Sequence, residues 1–329
     1  MYFSIVIPLY NRPDELDELL ASLCEQRYQH FEVIVAEDGS DRKGDQVVVR
    51  YRDRLSITYF EKSNSGPGLT RNAGAARARG DYLIFFDSDC IIPPHYLKTV
   101  SAFLETNQTD AFGGPDAALT TFSPIQKAIN HAMTSFFTTG GIRGGKRSME
   151  KFHPRSFNLG VSRDVFNSLG GYGTMRFGED IDFSLRLIEA GYRTALIREA
   201  YVYHKRRATF RQFFKQVHNS GIARINLQLL HPGSLRVVHM LPALFVTGMT
   251  LILFTSLLLP MLLLLPLLFS LLIFLDALRL NRSAKVAWLS ITAAWIQLTG
   301  YGSGFLAAVW KRLILKKGEF RAFEQKFYD

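Results

Sequence analysis

Acidic residues recur just past strand-like apolar runs in this chain, and that placement restricts the fold more than any other feature. Phe31 to Ala36 runs into Glu37-Asp38-Gly39-Ser40, Tyr82 to Phe86 runs into Asp87-Ser88-Asp89, and Gly178-Glu179-Asp180-Ile181-Asp182 follows downstream. Carboxylates delivered at the ends of buried strands sit in the crevice of an open α/β sheet, poised to hold a divalent metal and a phosphorylated ligand. The chemistry to expect is chemistry on a nucleotide.

The segments around these signatures alternate in period. Residues 2 to 8 form a buried first strand rich in β-branched and aromatic side chains. Asn11-Arg12-Pro13-Asp14 then turns the chain, with Asn11 or Asp14 as the cap of an amphipathic helix whose apolar positions are Leu16, Leu19, Leu20 and Leu23. A second strand (Phe31 to Ala36), a helix near Asp45 to Arg52 and a third strand (Ser56 to Phe60) complete a βαβαβ alternation. That alternation predicts a parallel, doubly wound sheet. Gly66-Pro67-Gly68 opens a helix through Ala78 that Gly80 closes, ahead of a fourth strand, Tyr82 to Phe86. Pro94 to about Glu105 reads as a further helix, and Ala111 to Pro115 as a short strand and turn. Thr138 to Arg147, glycine-rich and basic, reads as a loop, either a linker or an active-site lid. Asp180 to Ala190 is amphipathic and closed by Gly191, strand-like pieces follow at Thr194 to Ile197 and Tyr201 to Tyr203, and His204 comes next. A basic, aromatic helix from about Thr209 to Leu230 is expected to be interrupted at Gly221.

The 329 residues allow one large domain or two smaller ones. Apolar residues concentrate after residue 236, and Val237 to Leu280 carries no Asp, Glu, Lys or Arg before Asp276. Such a run is about twice the ~20 residues that span a bilayer, so it reads as a helical hairpin broken near Pro260, and the chain as an integral membrane protein. A pair of buried core helices would carry more polar punctuation. The formal net charge of +10 includes cations flanking the apolar region: Arg206, Arg207, Arg211, Lys215, Arg224 and Arg236 before it, Lys311, Arg312, Lys316, Lys317, Arg321 and Lys326 after it. Basic flanks mark the cytoplasmic side and attract anionic headgroups. Nucleic acid is not the expected partner, because the basic residues of the globular half are dispersed and no zinc finger or basic zipper is present. Cys24 and Cys90 fit no metal-ligand spacing and no disulfide framework, and read as packing residues. The sequence opens on a strand rather than a signal peptide, which predicts a catalytic domain on the cytoplasmic face. With Arg236 cytoplasmic, the hairpin turns outside near Pro260 and returns by Arg279, Arg282 and Lys285. The third apolar segment, about 286–310, has its apolar core at Val286 to Thr299 and then Gly300-Tyr301-Gly302-Ser303-Gly304; it reads as re-entrant, interfacial or spanning.

Asp87 and Asp89, one residue apart at a strand end, can divide their labour, one reaching a sugar hydroxyl or water and the other a metal that bridges a diphosphate. Asp38 ends the second strand, where a carboxylate can accept hydrogen bonds from a base or ribose. Arg71 and Asn72 lie on a helix whose glycine-rich N-terminus favours anions. Glu179 and Asp180 stand at a helix start, where Asp180 serves as N-cap and can also act as general base toward a hydroxyl. His204 alone reads as a packed or surface histidine; beside a metal on Asp89 it becomes a candidate ligand.

The ordered set Ser4-Ile-Val-Ile-Pro8-Leu-Tyr10-Asn11, Glu37-Asp38-Gly-Ser40, Arg71-Asn72-Ala-Gly74, Asp87-Ser-Asp89, Phe157-Asn158-Leu-Gly160 and Gly178-Glu179-Asp180 resembles family 2 glycosyltransferases of the GT-A fold, over roughly residues 1 to 230. The resemblance implies a cytoplasmic GT-A domain at 1–230, Rossmann-like with a mostly parallel sheet, followed by an α-helical membrane region at 231–329 with a basic tail. It also implies an inverting enzyme that moves a sugar from a UDP- or GDP-sugar to an acceptor hydroxyl with Mg²⁺ or Mn²⁺. Carried over by position, Pro8 and Tyr10 line the base pocket, Asp38 binds the base and Arg71 lies near the nucleotide. Asp87 contacts ribose or sugar, Asp89 ligates the metal, Asp180 deprotonates the acceptor with Glu179 positioning it, and His204 completes the metal site. Processive members carry a Gln-x-x-Arg-Trp signature on a later helix; here the comparable stretch is Gln216 to Arg224 with no Trp, so single-sugar transfer is expected. The membrane region points to a lipid-linked or glycolipid acceptor in cell-envelope polysaccharide synthesis. The competing class is a membrane-tethered pseudoenzyme or scaffold, which would need no base at Asp180. A nucleotidyltransferase would show a glycine-rich cationic signature after the first strand, where Pro8-Leu9-Tyr10-Asn11 stands instead.

Overall fold

The computed structural model describes residues 1–117, 122–139, 153–175, 177–205 and 207–318. Most of the glycine-rich stretch (140–147), with Arg206, Arg321 and Lys326, lies outside them. In chain order the elements are β1 (Phe3–Leu9), α1 (Pro13–Cys24), β2 (Phe31–Asp38), α2 (Asp45–Val49), β3 (Ile57–Lys62), α3 (Pro67–Ala75), β4 (Tyr82–Phe85), β5 (Cys90–Ile91), α4 (Tyr96–Thr106), β6 (Ala111–Gly113) and β7 (Asp116–Ala117). Then come α5 (Pro124–Thr134), α6 (Phe136–Thr139), β8 (Leu159–Ser162), α7 (Arg163–Ser168), α8 (Glu179–Glu189), β9 (Thr194–Leu196), β10 (Val202–His204), α9 (Phe210–Leu230), α10 (Val237–Thr255), α11 (Leu264–Asn281) and α12 (Ala284–Ala308). Contacts divide the chain into two compact units, Met1–Leu119 with Phe152–Lys205, and Thr120–Lys151 with Arg206–Asp329. This division departs from the boundary expected at residue 230, because α9 packs along α12 and belongs with the C-terminal helices.

The first unit is built on a seven-stranded sheet in the order β3-β2-β1-β4-β8-β6-β9. β3, β2, β1 and β4 run parallel, while β8 is antiparallel to both β4 and β6. Period-2 alternation sends side chains to two cores. Ile5, Ile7, Val33, Val35, Ile84 and Phe86 meet the Leu16, Leu19, Leu20 and Leu23 face of α1, and Val6, Ile34, Leu83 and Phe85 meet Phe166, Phe183 and Leu187. The strand order reverses between β1 and β4, and such a switch point is where open α/β sheets bind ligands. Pro8 lies there. Val6 gives its carbonyl to Phe86 N, so Pro8, two residues on, turns its nitrogen to the same side, beyond the last β1–β4 pair, Val6 with Phe85. The missing N–H therefore costs no ladder hydrogen bond.

Two expected caps are corrected. Neither Asn11 nor Asp14 caps α1, whose N-cap is Arg12 without a side-chain bond. Asn11 instead adopts φ 54°, accepts from the backbone N–H groups of Asp41 and Arg42, and donates its own N–H to Ser40 Oγ, so its side chain is spent on tying β1's end to β2's end. Asp180 is likewise the second residue of α8 and not its cap; Gly178 takes that place in the left-handed region at φ 84°.

In the second unit α5, α9, α10 and α11 pack around α12. Gly221 does not interrupt α9, which runs unbroken for 21 residues. A Cβ there would lie 2.2 Å from Tyr301 O, and one at Gly304 2.0 Å from His218 O, so the glycines let α9 and α12 touch backbone to backbone. The run Gly300 to Gly304 accordingly sits inside the single 25-residue α12 and does not end a segment. Among the described residues two helices are long and apolar enough to cross a membrane, Val237–Thr255 and Pro260–Asn281, separated at the expected Pro260 break. Their apolar windows are 22% and 11% buried, unlike helices of a packed core. Phe245, Phe269 and Trp295 join α10, α11 and α12 through ring contacts of 5.3–5.8 Å.

Candidate active site

Short strands and tight turns bring the acidic signatures to the carboxyl edge of the parallel strands. The second sheet, ordered β5-β10-β7, completes the arrangement. β10 pairs antiparallel with β5 in a register that sets His204 opposite Cys90. His204 Nε2 consequently lies 3.1 Å from Asp89 Oδ1, and the Phe157 ring stacks on the imidazole at 4.8 Å. Tyr96 O–H donates to Asn158 Oδ1, and Asn158 donates to Ala200 O at 2.9 Å, so the Phe157-Asn158 motif is pinned from both sides. That fixes the stacking ring.

Arg71, 3% exposed, is the joint of the site. Its Nη2 donates to Asp87 Oδ1 at 2.5 Å and its Nη1 to Glu179 Oε1 at 3.1 Å, linking the end of β4 to the start of α8. Its guanidinium also stands 5.5 Å from the Tyr172 ring. Asn72 exchanges two hydrogen bonds of 2.8 Å with the backbone of Tyr172, holding the loop that precedes α8. Asp180 lies 3.4 Å from Arg155 Nη1 and accepts from Ile181 N at 2.9 Å.

Burial first, and then the charge of Asp180, push Glu179 up to about 7, against the pull of Arg71. A carboxyl raised from about 4.5 holds its proton more firmly folded than unfolded. Its contribution to stability is therefore complete below pH 4.5 and is lost as pH rises through about 7. Denaturant unfolding at pH 5.5 and pH 8 should show wild type losing on the order of 2 kcal/mol relative to Glu179→Gln between the two. An unchanged difference would mean Glu179 titrates as an ordinary carboxylate.

Asp38, 1% exposed, ends β2 as expected, but its carboxylate is engaged by the loop before α3. It accepts from Lys62 Nζ at 2.7 Å and from Ser65 N and Gly66 N at 2.9 Å. Glu37 has a structural task, accepting from Ser40 Oγ and from Gly44 N, and burial raises its pKa. Pro8 and Tyr10 stand at the end of β1 beside the switch point. Two neighbours of Asp89 were not anticipated from sequence. Arg12 Nη1 donates to Asp89 Oδ2 at 2.6 Å, and Cys90 Sγ falls with Asp89 and His204 in a group whose ligand atoms lie within 4.8 Å. Arg12 had a legible signal: a cation at a helix N-terminus opposes the macrodipole and needs a local reason. Cys90 had none, since only the β5–β10 register brings His204 to it.

The family description Glycosyl transferase family 2 matches residues 4–170, and the chain belongs to that family. The poly(ribitol-phosphate) β-N-acetylglucosaminyltransferase TarS of Staphylococcus aureus is 36% identical over 114 residues, 33% of this chain and 20% of that protein. An uncharacterised glycosyltransferase of Haemophilus influenzae is 29% identical over 194 residues, 56% of this chain and 62% of that protein. The chain thus spans less than two thirds of these curated relatives. Among solved structures, the mannosyltransferase PcManGT of Pyrobaculum calidifontis, in complex with GDP-Man and Mn²⁺, is similar at TM-score 0.58 and 15% identity, covering 94% of this chain and 87% of that one. S. aureus TarS 1–349 in complex with UDP-GlcNAc is similar at TM-score 0.50 and 22% identity, covering 69% and 67%. At these identities the likeness is one of fold, and the fold is GT-A.

Proposed function

We propose that the chain is an inverting glycosyltransferase that moves one sugar from a UDP- or GDP-sugar to a hydroxyl of a lipid-linked or glycolipid acceptor, with Mg²⁺ or Mn²⁺. The observation that carries this reading is the Arg71 bridge, which couples the carboxylates after β4 to the pair that opens α8. A binding scaffold has no need of that second pair. The nucleotide sugars held by PcManGT and TarS support the donor class.

The residues present fit a divalent ion. Two ligands about 2.1 Å from a cation in adjacent octahedral positions lie about 3 Å apart, and Asp89 Oδ1 and His204 Nε2 are separated by 3.1 Å. Cys90 does not fit: burial pushes its thiol pKa up, and its Sγ lies 3.6 Å from Phe157 O as a donor. A bound cation supplies charge stabilisation to the departing diphosphate. The protein's own groups do the rest. Asp180 takes the proton of the acceptor hydroxyl as its oxygen bonds to the anomeric carbon; the old bond's electron pair leaves with the diphosphate, and the stereocentre inverts. Arg71 keeps Asp87 and Glu179 in register with that attack. Pro8, Tyr10 and Asp38 receive the base.

α10 and α11 are read as membrane spans, with the catalytic unit cytoplasmic. Support comes from their low burial and from Arg236, Arg279, Arg282 and Lys285 at their ends. Calorimetric binding of UDP, GDP, CDP and ADP to detergent-purified protein, with and without Mn²⁺, tests the enzyme reading. Metal-dependent binding of one nucleotide, abolished in Asp89→Ala, is the expected result. No binding of any of the four would leave a scaffold.

A further inference from the structure

Asp89 holds the Arg12 guanidinium on one oxygen, Nη1 at 2.6 Å from Oδ2, while the His204 imidazole stands at the other, Nε2 at 3.1 Å from Oδ1. A metal ion on this carboxylate meets a full positive charge already seated on it, and the N-terminus of α1, where Arg12 is the cap, adds more of the same sign. Glu15 and Asp87 also face the guanidinium. Arg12 differs from Arg71 in its freedom: its side chain is 24% exposed against 3%, and a single hydrogen bond holds it where Arg71 makes two. Its backbone cannot follow, because Asn11 is tied to Ser40, Asp41 and Arg42. Only the side chain can change partner. A diphosphate offers a guanidinium a more highly charged, bidentate partner than one carboxylate oxygen.

We propose that Arg12 competes with the divalent cation for Asp89 and is drawn off by the donor's diphosphate, so that metal and nucleotide bind cooperatively; this rests on Asp89 being the metal ligand of the proposed reaction. Coupling of this kind is reciprocal and has a measurable size. The experiment is a Mn²⁺ titration of the full chain by electron paramagnetic resonance, alone and with UDP or GDP, for wild type, Arg12→Ala, Arg12→Lys and Asp89→Asn. Arg12→Ala is expected to bind Mn²⁺ alone about tenfold tighter than wild type while the gain conferred by nucleotide shrinks about tenfold, with Arg12→Lys between. Mn²⁺ affinity in Arg12→Ala equal to or weaker than wild type, or undiminished coupling, overturns the proposal. Mn²⁺ binding that survives Asp89→Asn overturns it together with the metal site. If neither nucleotide binds while Arg12→Ala still tightens Mn²⁺, the competition stands, and release by diphosphate falls with the transferase reading.

Discussion

Asp180→Asn is expected to lower the turnover number of sugar transfer by about 10³-fold, with nucleotide affinity held within about twofold. The amide matches the carboxylate in shape and keeps an oxygen for Ile181 N, so the start of α8 is preserved. What it loses is the ability to accept the acceptor's proton. Paired measurements of turnover and of calorimetric nucleotide affinity separate the two effects. A loss of only a few fold would place the base elsewhere, with Asp182, 6% exposed and paired with Arg186, a poor substitute.

Arg71→Leu is expected to destabilise the catalytic unit by about 3 kcal/mol, read as a lowered denaturant midpoint. Removing the guanidinium leaves Glu179 buried with no cation and Asp87 facing it, and it also removes the contact with Tyr172. Arg71→Lys should recover only part of the loss, because an ammonium is a point charge and cannot span the two carboxylates as a planar fork does. A midpoint unchanged in Arg71→Leu would mean that the bridge does not support the fold.

Much of the catalytic unit was legible because local and global signals agree there. β1 and β2 announce themselves by β-branched runs, β4 by an apolar one, and the leucines of α1 by their spacing, since each side chain answers to one core. The errors cluster where a residue answers to something distant in sequence. Asn11 has the chemistry of a cap but serves the loop after β2, and Gly221 has the chemistry of a breaker but serves a helix 80 residues on. Gly300 to Gly304 misled for the same reason: Gly300 and Gly304 face α9 while Gly302 faces α10, and only the packed bundle shows it. Of the site, the acidic residues and Arg71 could be read as candidates, whereas the pairings that join carboxylates to arginines could not. Arg12 with Asp89, Arg71 with Asp87 and Glu179, and Arg155 with Asp180 are long-range pairs that no periodicity encodes.

The two-residue ladder between β5 and β10 carries a lesson for mutational tolerance and for loop grafting. His204 reaches Asp89 through register alone, in a strand of three residues whose neighbours point to the opposite face. A one-residue insertion or deletion between Ala200 and His204 could keep the ladder paired and the molecule folded, yet present a neighbouring side chain to Asp89. Folding assays would pass such a variant as sound. Lineages and libraries built on this scaffold should therefore reject length changes in this loop.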